Sequence, residues 1–144
     1  MLDASHAIIG GALAKLVPNP ALGLSLAVGL HFAGDLVPHW DLRTRHVVRS
    51  KLKTIVLSLS DAGVGYILGW WIFHSSVPFP YLLTMMFVSQ LPDWIEAPYH
   101  IFDWNFPPFS SIKKLQSRWH RKLDLPWGLV WQTLIVAIFL IISL

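Results

Sequence analysis

Five apolar stretches lie along the chain, separated by connections of contrasting polarity. They run from about Leu2 to Val17, Ala21 to Val37, Thr54 to Phe73, Tyr81 to Ile95 and Trp127 to Leu144. Such a pattern predicts helices. Pro18 and Pro20 end the first, and Pro38 stops the second, because proline lacks the backbone donor a helix interior needs. The fifth carries no charge at all. Crossing a bilayer takes ~20 apolar residues, or somewhat fewer where the bilayer thins. By that measure the first and fourth stretches are short, and they are expected to be tilted or half-inserted. The expected fold is all-α, an integral membrane bundle of about five hydrophobic helices forming one domain over residues 1–144.

The connections divide sharply. Arg43, Arg45, Arg49, Lys51 and Lys53 lie between the second and third stretches, and Lys113, Lys114, Arg118, Arg121 and Lys122 lie before the fifth; only Lys15 remains elsewhere. The connection from Ser75 to Pro80 has no charge. Basic connections stay in the cytoplasm, which places the N-terminus inside and the C-terminus outside, in what is expected to be a bacterial inner membrane. The start has no basic region, and Asp3 and His6 interrupt it, so no cleavable signal peptide is expected.

Composition sharpens this picture. The chain is 54% hydrophobic and 13% charged, with a mean hydropathy of +0.53, eight Trp and eight Phe. A net charge of +3 is explained by the clustered basic connections better than by nucleic-acid binding. There is no cysteine, so any metal must be held by His, Asp and Glu. That donor set favours Zn²⁺, with Mn²⁺ or Fe²⁺ as alternatives.

The polar residues inside the apolar stretches carry the chemistry. His31 and Asp35 stand four apart and share a helix face, and ionisable groups at such positions are costly without a partner. His6 opens the first stretch, Asp61 lies in the first half of the third, Asp93 and Glu96 close the fourth, and His120 precedes the fifth. On the topology above, all fall in one leaflet. The expected metal ligands are His6, His31, Asp35, His39, Asp61, Asp93 and His120. Glu96 and Asp41 are the candidate catalytic carboxylates. Arg43, Arg45, Arg118 and Arg121 are candidates for binding a phosphate, a task suited to the planar guanidinium. His46, His74 and His100 look incidental. The region around Trp119 is a candidate for lying flat on lipid headgroups.

The run His31-Phe-Ala-Gly-Asp35-Leu resembles the His-Phe/Tyr-x-Gly-Asp signature of the zinc-dependent phospholipase C and single-strand nuclease superfamily, which implies zinc ligation by that His and Asp. Ser5-His6, Leu91-Pro92-Asp93 and His120-Arg121 make the whole layout similar to the LexA-regulated, membrane-bound metal-dependent hydrolases. The resemblance implies a class of chemistry, hydrolysis, more than a substrate.

The expected function is metal-dependent hydrolysis of a lipid phosphoester at the cytoplasmic interface, with the membrane lipid as partner. An ion or metal transporter and a non-catalytic structural membrane protein are the alternatives. A transporter needs polar residues through the outer leaflet, and that half reads as apolar. The topology is open to direct test. With single cysteines at Ser50 and Ser76, an impermeant thiol reagent added to intact cells should label Ser76→Cys and spare Ser50→Cys; the reverse pattern inverts the orientation.

Overall fold

In the computed structural model, which describes residues 1–42 and 50–144, the described residues form seven helices. They are α1 (Asp3–Leu16), α2 (Pro20–Leu36), α3 (Lys51–Phe73), α4 (Phe79–Ser89), α5 (Leu91–Ile101), α6 (Phe109–Trp119) and α7 (Trp127–Ser143). The all-α expectation holds. α3 is long and apolar enough to cross a membrane by length and composition, while α2, α4 and α7 are apolar but shorter.

The centre of the fold is α1, the stretch whose shortness suggested partial insertion. Every residue from Ser5 to Ala14 is buried, and α1 packs on α2, α3, α4 and α7. A helix this evenly apolar has no water-facing side to offer. Its small residues let neighbours come close. A Cβ added at Gly10 would meet the Met85 carbonyl oxygen at 2.7 Å, and one at Gly11 the Phe73 ring at 2.8 Å. Around it lies a core that includes Phe73, Leu82, Met85 and Met86, each almost fully buried.

Local sequence explains the boundaries. Asn19 caps α2, its side-chain oxygen accepting from the Leu22 amide at 3.2 Å, with Pro20 at the first helical position. Ser50 caps α3 in the same way through the Lys53 amide. The fourth apolar stretch is not one helix. It breaks at Gln90 into α4 and α5, because Pro92 cannot donate a backbone hydrogen bond and restricts the residue before it. The break turns α5 aside and carries Asp93 and Glu96 with it. α6 arises in the second basic connection, outside the five apolar stretches, and ends at Trp119.

One short pairing outside the helices matters for the site. The segments after α2 and after α6 run alongside each other, with the His39 amide donating to the Arg121 carbonyl (2.9 Å) and the Leu123 amide to the His39 carbonyl (2.7 Å). The Arg121 amide also reaches the Asp35 carbonyl at 3.1 Å.

The α1–α3 contact yields a paired prediction. A Cβ at Gly65 would lie 2.5 Å from the Ala4 Cα, whereas one at Gly63 meets nothing within 4 Å. Gly65→Val should therefore lower stability by about 1–3 kcal/mol or more through overpacking. Gly63→Ala should raise it by up to about 1 kcal/mol through helix propensity. Thermal unfolding in detergent compares the two; equal effects would show that α1 and α3 are not in close contact.

Candidate metal centre

Asp35, on the last turn of α2, has no solvent exposure. Four imidazoles point at it. His6 Nε2 lies 3.4 Å and His39 Nε2 3.8 Å from Oδ1, while His120 Nε2 lies 2.5 Å and His31 Nε2 3.5 Å from Oδ2. The Met1 amino nitrogen also contacts Oδ1. A second carboxylate, Asp93, stands 3.8 Å from His31 Nε2. Two sets of ligand atoms are close enough to share an ion, His6 with His31 and Asp93, and Asp35 with His39 and His120. The structure thus brings six of the seven expected ligand residues together.

Each arrives by a different route. His6 sits in the first turn of α1 and stacks on His31 with ring centroids 4.0 Å apart. His31 and Asp35 share a face of α2. Asp93 opens α5, just past the Gln90 break. The backbone pairing after α2 and α6 holds the His39 and His120 rings 5.4 Å apart, edge to face.

The tautomers bear on what this cluster can do. His31 Nδ1 is 2.8 Å from the Ser89 carbonyl oxygen, and His39 Nδ1 is 2.8 Å from that of Val37. A carbonyl only accepts, so in each neutral ring Nδ1 carries the proton and Nε2 presents a lone pair. Burial pushes the His39 imidazole down to about 4, so that ring is neutral at physiological pH. Its lone pair faces the Asp35 carboxylate, an arrangement that a cation between them would relieve. Neither His6 Nε2 nor His39 Nε2 has a hydrogen-bond partner among the described residues, although both are buried. Backbone carbonyls that orient imidazoles in this way are typical supports of metal-binding histidines. The donor set of neutral imidazole and carboxylate suits a borderline divalent ion.

Gln116 is the residue the sequence reading missed. It is fully buried, and its Nε2 donates to Asp93 Oδ1 (2.8 Å) and lies 3.2 Å from His31 Nε2. The available signal was a single polar residue on the arc of α6 otherwise held by Phe109 and Ile112.

A cleft of about 860 Å³ opens over the cluster, and Asp93 and His120 line it. Both candidate catalytic carboxylates line it too. Glu96 contacts His100 and Lys113 (3.1 Å), and its Oε2 has no hydrogen-bond partner among the described residues. Asp41 pairs with Lys122 at 2.6 Å. His100, which looked incidental, is therefore part of the cleft wall. His74 caps α3 instead, near the Trp70 and Trp71 carbonyls. Arg43, Arg45 and His46 lie outside the described residues. Arg118 and Arg121 are exposed, and the cations lining the cleft are Lys113 and Lys122.

Asp61 lines the cleft but belongs to neither ligand set. Its Oδ2 accepts from the backbone amides of Asp3 (2.6 Å) and Ala4 (3.4 Å). These are unpaired donors of the first turn of α1, and a carboxylate there complements the helix dipole. Comparison with known proteins finds no matching family model, no similar curated protein and no similar solved structure, so the chemistry must be read from this geometry.

The position of Asp61 generates a prediction. Asp61→Ala should destabilise the fold by about 1 kcal/mol, as for a lost helix cap, and leave bound metal unchanged. Asp61→Asn should restore much of that stability, because the amide oxygen still accepts. Loss of metal in Asp61→Asn, at unchanged melting temperature, would make Asp61 a ligand after all.

Proposed function

We infer that this chain is an integral membrane protein that hydrolyses a phosphoester, with a lipid as substrate, using a divalent metal held around Asp35. The observation that carries this reading is the convergence of four imidazoles on a fully buried carboxylate beside an open cleft, with the buried His6 Nε2 and His39 Nε2 lacking a hydrogen-bond partner among the described residues. His6, His31, Asp35, His39, Asp93 and His120 would hold the metal, with Zn²⁺ preferred over Mn²⁺ and Fe²⁺. Such an ion supplies Lewis acidity and a nucleophile at neutral pH.

The membrane reading draws on the outside of the fold. α3 exposes Leu52, Val56, Leu59, Ile67 and Trp71, and α7 exposes Leu134, Ile138, Ile141 and Ile142. Apolar surface of this extent is unusual on a soluble monomer. In the proposed topology both basic connections face the cytoplasm of a bacterial cell, and the cleft opens at that interface.

Within the cleft the roles follow from placement. Glu96 is the candidate general base, held by His100 and Lys113 with one oxygen free of hydrogen bonds among the described residues. Lys113 and Lys122 are the cations placed to meet a phosphate. Asp41 sets the position of the Lys122 ammonium. The cleft wall supplied by Ile55, Leu59 and Trp94 is apolar, which suits the non-phosphate part of a lipid.

Elemental analysis of the purified protein should find at least one tightly bound divalent ion, lost in Asp35→Ala and in His39→Ala. A metal-free protein that stays folded would overturn the metal reading. Mixed lipid micelles with added Zn²⁺ or Mn²⁺ should release phosphate or headgroup. His31→Ala should abolish this, because loss of a ligand removes the reagent and not only affinity. Lys113→Ala should act mainly on KM, and Arg121→Ala should change little. No metal-dependent release from a broad phosphoester panel, together with metal flux into liposomes, would favour the transporter.

A further inference from the structure

Between α5 and α6 the chain makes a turn that exposes its rings. Phe102, Trp104 and Phe106 are 59%, 43% and 51% exposed. They pack on one another and on Phe109, with centroids 5.1–5.9 Å apart. Asp103, with φ of 58°, turns the backbone inside this cluster, a conformation that aspartate tolerates better than most residues. Its carboxylate contacts Lys51 at the start of α3. The ring cluster is thereby tied to the same end of α3 whose outer face exposes Leu52 and Val56.

α6 continues from this turn. Its inner side buries Gln116 and directs Lys113 to Glu96. Its outer side carries Lys114 and Arg118, one turn apart, beside Leu115 and Trp119, all exposed. Exposed rings flanked by cations are the composition of an interfacial helix, with rings at headgroup depth and bases toward anionic phosphates. Near an anionic leaflet each such base contributes about fivefold in affinity.

We propose that the ring turn 102–109 and the outer face of α6 form one docking surface for anionic membrane phospholipid, with the rings immersed between headgroups and Lys114 and Arg118 on the phosphates. The proposal rests on the membrane part of the proposed function and is independent of any hydrolysis. It commits to the leaflet as occupant because the exposed rings continue into the cations of α6 and are tied through Asp103 and Lys51 to the end of α3 that exposes Leu52 and Val56. A second copy of the chain would have to complement that charge, and the surface offers no acidic residue beyond Asp103, which is engaged with Lys51.

The native chain has no cysteine, so single labels are clean. Nitroxides at Asn105→Cys, Ser76→Cys and Ile138→Cys in nanodiscs would be read by their accessibility to oxygen and to an aqueous nickel chelate. The discs hold phosphatidylcholine alone or an equal mixture with phosphatidylglycerol. The Asn105 label should be shielded from the nickel chelate, more so in the anionic discs. Lys114→Gln combined with Arg118→Gln should abolish that difference while leaving Ile138 shielded. Full nickel access at Asn105 with Ile138 shielded overturns the docking surface and keeps the membrane reading; access at Ile138 overturns both. Equal shielding in the two compositions overturns the anionic preference. Dipolar broadening between Asn105 labels would assign the surface to a second copy and overturn the proposal.

Discussion

A carboxylate without solvent exposure is expensive unless cations or donors surround it, and Asp35 is such a carboxylate. Its surroundings draw on α1, α2 and the segments that follow α2 and α6. α1 supplies His6, α2 supplies His31, the paired segments supply His39 and His120, and the Met1 amino group completes the ring of contacts. The Met1 amino group and His120 contact the carboxylate directly, while His31 and His39 turn lone pairs toward it, an arrangement that a bound cation would relieve.

The packing of α1 makes this convergence geometrically available. A central helix must place its first turn at the same level as the end of α2, the first half of α3 and the start of α5. Small residues at the crossings with α3 and α4 hold the axes close enough for that. Asp61 then serves the site indirectly: by accepting the first amides of α1 it holds the turn that presents His6. A residue of this kind resembles a ligand in sequence, because it has the same chemistry at the same depth, and differs only in what it touches.

Much of the site was legible because expensive residues in apolar stretches are few, and the charged connections suggested which ends of those stretches lie together. His6, His31, Asp35, Asp93 and His120 stood out in this way. The all-α class followed from the same pattern. The Gln90 break was less legible, because Tyr81 to Ile95 is continuously apolar up to Gln90 and the effect of Pro92 depends on α5 turning away. α6 was hidden by its charge: a basic connection reads as a topology signal first and as a helix second. Gln116 was overlooked for that reason. That Lys113 and Lys122 line the cleft while Arg118 and Arg121 do not could not be read at all, since side-chain direction on α6 depends on which face packs against α5.

The cleft has a division of surface that bears on the substrate. Its polar part is made by Asp93, His120, Glu96 and the two lysines, while Ile55, Leu57 and Leu59 come from α3, the helix long and apolar enough to cross a membrane. A soluble phosphoester would meet polar groups on one side and gain nothing from the other. An amphipathic ester would place its phosphate among the cations and its chain along α3, where burial contributes about 0.8 kcal/mol for each methylene removed from water. For a substrate already in the bilayer that gain vanishes, because its chain never leaves an apolar medium. On the proposed function, selection among lipids would fall to the phosphate and headgroup end, where Lys113, Lys122, Glu96 and His100 line the cleft.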